Sequence, residues 1–175
     1  MLWEDVEAAE QPPDVWHPNR ELPEAQTARL GVIALLGLTI FVLLVIAAGG
    51  WRTLEGAKAL HLAFIVVDAI FIGYVIRWNR GVLPVIAGVA TILGIFALVA
   101  GPAWFARDKP GYNTPALPDA VLGILTLGLI PLQMLVIFVA MWGFSQKWNV
   151  EEEITSRGAP GGATPQAPTT PAPTG

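Results

Sequence analysis

Hydrophobic positions in this chain fall into four long runs. Residues 30–49, 59–77, 82–101 and 120–143 are almost wholly apolar, and charged residues gather between and beyond them. A helix rises ~1.5 Å per residue, so about twenty residues cross the ~30 Å hydrocarbon layer of a bilayer. The pattern predicts an all-α integral membrane protein, with four transmembrane helices in a small bundle.

The links set the topology. Residues 50–58 are short enough to make the first two spans an antiparallel hairpin, and the turn at 77–81 makes a second. Residues 102–119 form the longest connection, rich in proline and carrying Trp104, Phe105 and Tyr112, with Asp119 as the expected N-cap of the last helix. Trp51, Trp78, Trp104 and Trp148 flank the runs, where the amphipathic indole suits the membrane interface. In the third span the Ala87/Thr91 and Ala90/Gly94 pairs have the spacing that lets helix backbones approach closely. Pro131 is placed to kink the fourth span, which is expected to continue past Trp142 toward residue 154.

The flanks divide the chain further. Residues 1–28 read as an acidic arm, with Trp3, Trp16 and His17 as possible contacts; residues 29–150 form the transmembrane domain. Residues 151–175 are a Pro/Thr/Ala-rich tail. Neither flank has enough apolar surface to build a core, so both are expected to be disordered.

Composition agrees with this reading. Hydrophobic residues make up 54% of the chain and charged residues 14%, and mean hydropathy is +0.57, which excludes an ordinary soluble domain. Cysteine is absent, so disulfides and thiolate metal sites are excluded. The net charge is −4 with no basic stripe, which argues against nucleic acid as a partner. Four spans put both termini on one side. Arg20, Arg29, Arg77, Arg80, Lys147 and Arg157 lie on that side, and Arg52, Lys58, Arg107 and Lys109 on the other. This excess predicts cytoplasmic termini in a bacterial inner or plasma membrane.

The polar residues inside the spans are the candidate chemistry. Asp68 sits at the middle of the second run, where a charged side chain costs about 2.5–3.5 kcal/mol on insertion scales and should face protein or water. Thr39, Thr91 and Gln133 are expected near the same depth, with Gln133 about one turn nearer the cytoplasm. His61 precedes Asp68 by two turns, about 10 Å along the axis. Apart from Arg77 at the very end of the second run, no Lys or Arg lies within a span to pair with the acid. These five residues are a candidate intramembrane polar or proton site, with no metal expected.

Three functions compete. An accessory subunit of a larger membrane complex, respiratory or transport in kind, suits four plain helices without a cofactor; its partners are the bilayer and other membrane subunits. A small transporter or proton conductor would use Asp68, with the kink at Pro131 helping, but one acid and one histidine make a thin relay. A haem protein would need an axial pair such as His61 with Met134 or Met141. The accessory subunit, without catalytic activity of its own, is the reading favoured here.

Overall fold

The computed structural model describes residues 15–16, 18–107, 115–146, 148 and 152–153. Four helices are long and apolar enough to cross a bilayer: α1 (Pro23–Gly50), α2 (Lys58–Ile76), α3 (Leu83–Phe105) and α4 (Asp119–Ser145). The chain is an all-α, multi-pass membrane protein. A single helical turn at Pro18–Glu21 precedes α1, and short 3₁₀ turns at Glu55–Ala57 and Arg80–Val82 lead into α2 and α3. Separately, Val15–Trp16 pairs antiparallel with Glu152–Glu153. Of the flanks expected to be disordered, 1–28 and 151–175, residues 18–21 and 23–28 are helical instead, while residues 1–14, His17, 151 and 154–175 lie outside the described residues.

The helices outrun the apolar runs at several ends. Helix α1 begins at Pro23, where proline at the first position loses no needed hydrogen bond. Helix α3 carries Pro102 inside its last turns and ends at Phe105, which shortens the expected loop. Pro118 takes the N-cap position of α4, and Asp119 stands in its first turn, where a carboxylate suits the positive end of the helix dipole. Helix α4 does not continue toward residue 154: it stops at Ser145. There Gln146 N–H turns back to the Gly143 carbonyl, and Trp148 lies against Gly143.

Packing follows a near-heptad seam. Helix α1 buries Ala25, Ala28, Val32, Leu36, Thr39, Leu43 and Ile46, in steps of three and four residues. Helices α3 and α4 form the most extensive pair. At Gly101 a Cβ would meet Leu127 at 2.4 Å, and at Gly123 one would meet the Phe105 ring at 2.6 Å. A side chain at either position would require Leu127 or the Phe105 ring to shift. Helix α2 rests on α1, touches α3 sparsely, and buries just Asp68, Phe71 and Val75 of its 19 residues.

Arginines close the helix ends on the side of the termini. The last carbonyls of a helix lack intrahelical donors and carry its negative dipole end. Arg29 donates to the carbonyls of Val75 (3.3 Å) and Ile76 (2.7 Å) at the end of α2. Arg80 donates to the Phe144 carbonyl at 2.6 Å at the end of α4. The turn after α2 is a Schellman motif, with Asn79 N–H bonded to the Tyr74 carbonyl and Trp78 N–H to the Val75 carbonyl. Glycine usually fills its left-handed position; here Trp78 does, at φ 58°.

Candidate functional site

A helix in lipid buries polar side chains only where another helix covers them. The core has two apolar clusters. One holds Val32, Leu36, Phe71, Val75, Ile86 and Val136; the other holds Leu43, Ile46, Leu93, Leu122, Leu129 and Leu132. Along α1, α2 and α4 the cluster boundary falls at Thr39, Asp68 and Gln133, all buried. These three therefore mark a polar layer between two apolar clusters.

Gln133 joins helices across this layer. Its Nε2 donates to Thr39 Oγ1 at 3.1 Å, and the Thr39 hydroxyl donates to the Leu35 carbonyl at 3.0 Å. The bond puts Gln133 at the depth of Thr39 rather than one turn nearer the cytoplasm. The reason is that α4 spans 119–145, so its midpoint falls beside Gln133. Gly94 on α3 faces the same side chain, since a Cβ there would lie 3.7 Å from Gln133 Cβ.

Asp68 is 4% exposed, and among the described residues its Oδ2 has no hydrogen-bond partner. Its side chain points into protein. Thr91 does not join the layer: it is exposed on α3 and its hydroxyl donates to the Ala87 carbonyl at 2.8 Å. Ala87 and Ala90 face inward, so of the two small-residue pairs Ala90/Gly94 is the one turned to the bundle. Thr126, buried on α4, likewise satisfies itself on the Leu122 carbonyl at 2.7 Å.

His61 stands apart from the layer. Its Nδ1 lies 2.9 Å from the Ala57 carbonyl, and because that oxygen only accepts, Nδ1 carries the proton. The ring lines a cavity of about 140 Å³ between α2 and α3, walled by Phe64, Leu93, Phe96 and Leu129; Asp68 does not line it. Met134 (66% exposed) and Met141 (45% exposed) face outward on α4, so no His–Met pair is assembled. Among the described residues, no three of His, Asp and Glu gather as metal ligands.

The four tryptophans expected at the interface divide. Trp51 is exposed and takes the Lys58 ammonium 5.1 Å over its ring. Trp78 is half-buried, with the Arg29 guanidinium 4.5 Å over its ring. Trp104 and Trp148 are buried in the bundle ends, and Trp148 meets Trp78 edge to face at 5.4 Å. The bulk that suits an indole to the interface here fills protein. Comparison with protein-family models, curated proteins and solved structures finds no match.

Proposed function

We propose that this protein is an accessory, structural subunit of a larger membrane complex, respiratory or transport in kind, set in a plasma membrane with both termini cytoplasmic. The carrying observation is the buried polar layer. Thr39, Asp68 and Gln133 lie between two apolar clusters, and none of the three lines the cavity that holds His61. Conduction needs a continuous polar or water-filled route. A second feature supports assembly: α2 leaves Leu62, Val66, Ile70 and Tyr74 uncovered along its length, a face that another subunit's helix fits.

Gentle-detergent purification of the full chain tests this reading. The expected result is a distinct integral membrane protein in stoichiometric amount, lost on Val66→Trp while the isolated chain still unfolds at its usual temperature. Recovery of the chain alone, together with proton flux in reconstituted vesicles that Asp68→Asn abolishes, would overturn the proposal in favour of a proton conductor.

A further inference from the structure

The cavity beside His61 continues into a second one. That second space, of about 250 Å³, lies at the helix ends opposite the termini and is lined by Thr53, Gly56, Ala103, Trp104 and Arg107. The two share Ala57 and Ala100, so they form one groove between the start of α2 and the end of α3. Its deep half is apolar, with Phe64 and Phe96 edge to face at 6.1 Å on its wall. Its shallow half is still largely apolar but adds Thr53 and one cation, Arg107. There the Arg107 guanidinium is held in place by a 3.3 Å bond to the Thr53 carbonyl and by the Trp104 ring at 5.1 Å.

We infer that this groove binds an anionic glycerophospholipid of the bilayer, with an acyl chain in the deep half and its phosphate at Arg107. The order of chemistry along the groove matches the order along a lipid. Leu93 to Phe105, the last residue of α3, spans about 18 Å, roughly the depth of one leaflet, and Arg107 follows just beyond it. The deep half is close to the ~150 Å³ that accepts a benzene ring in an apolar core, room for a short stretch of chain. A guanidinium binds phosphate through paired N–H donors, and a basic pocket between membrane helices suits an anionic headgroup. The inference does not depend on the assembly reading.

Native mass spectrometry of the delipidated full chain, titrated with phosphatidylglycerol or phosphatidylcholine, tests it. The wild type is expected to hold one phosphatidylglycerol with about tenfold preference, the worth of one charge-assisted contact. Arg107→Gln should reduce that preference to near one. Ala100→Phe, at an exposed position lining both halves, should weaken both lipids without altering thermal unfolding. Arg52→Gln, a cation at the same membrane face but outside the groove, should leave the preference intact. Equal binding of the two lipids by the wild type, unchanged binding by Ala100→Phe, or an equal loss in Arg52→Gln would each overturn the assignment.

Discussion

Asp68 and Trp78 are the two residues whose local chemistry runs against their surroundings. Burying a polar group without a hydrogen bond costs about 1–3 kcal/mol, and Asp68 Oδ2 has no partner among the described residues. Asp68→Ala removes the penalty and breaks no bond, so it should stabilise the isolated chain by about 1 kcal/mol; Asp68→Asn, still polar, should be nearly neutral. Thermal unfolding in detergent reads both, and a clear loss in Ala alone would show that the acid holds a bound water or ion. Trp78 occupies a left-handed conformation that costs a non-glycine residue about 1–2 kcal/mol. Its contacts with Trp148 and Arg29 offset this by a similar amount. Trp78→Gly sheds strain and contacts together and should be close to neutral. Trp78→Ala keeps the strain and should be about 1 kcal/mol less stable than Gly. The reverse order would mean that the turn relaxes. Asp68 was legible as an inward residue because lipid tolerates no bare carboxyl. Trp78 at 78 was legible as a helix boundary, but its left-handed backbone was not, since the sequence offers no glycine there.

At the level of elements, the existence of four helices was plain and their faces were not. In water a buried stripe stands out against a polar one, but in lipid both faces are apolar and periodicity marks no core. That is why Thr91 was grouped with Asp68. It is one position after Ala90 on the seam, and this single step turns it outward. The contacts that set helix spacing were hidden for the same reason: Gly101 and Gly123 look like any small residues in a membrane helix, and only the packing shows Leu127 and Phe105 against them. Gly101→Ala should therefore destabilise the α3–α4 pair by about 1–3 kcal/mol through overpacking. Leu127→Ala in the same chain should recover most of the loss. Gly88→Ala, where nothing lies within 4 Å, should change stability little, with a small gain from helix propensity. A Gly101→Ala variant as stable as wild type would show that the Leu127 side chain yields freely.

For the molecule as a whole, cations and tryptophans organise the two ends while the polar layer organises the middle. Arg29 and Arg80 tie the ends of α2 and α4 on one side, and Arg107 braces α3 against the segment after α1 on the other. The sequence placed these cations at the span ends but could not reveal which carbonyls they serve, because each bond joins residues at least 46 positions apart. Sidedness and sealing can be tested together. The chain has no cysteine, so single substitutions report their own exposure to a membrane-impermeant thiol reagent. Asn79→Cys, in the turn between α2 and α3, should react only from the cytoplasm, and Gly56→Cys, before α2, only from outside. Asp68→Cys should react from neither side, because the side chain at this position is buried, 4% exposed. Reaction of Asn79→Cys from outside would invert the topology and leave the fold untouched. Reaction of Asp68→Cys from either side would be the more consequential result: water would then reach the layer, and the case for a structural subunit would give way to a conducting one.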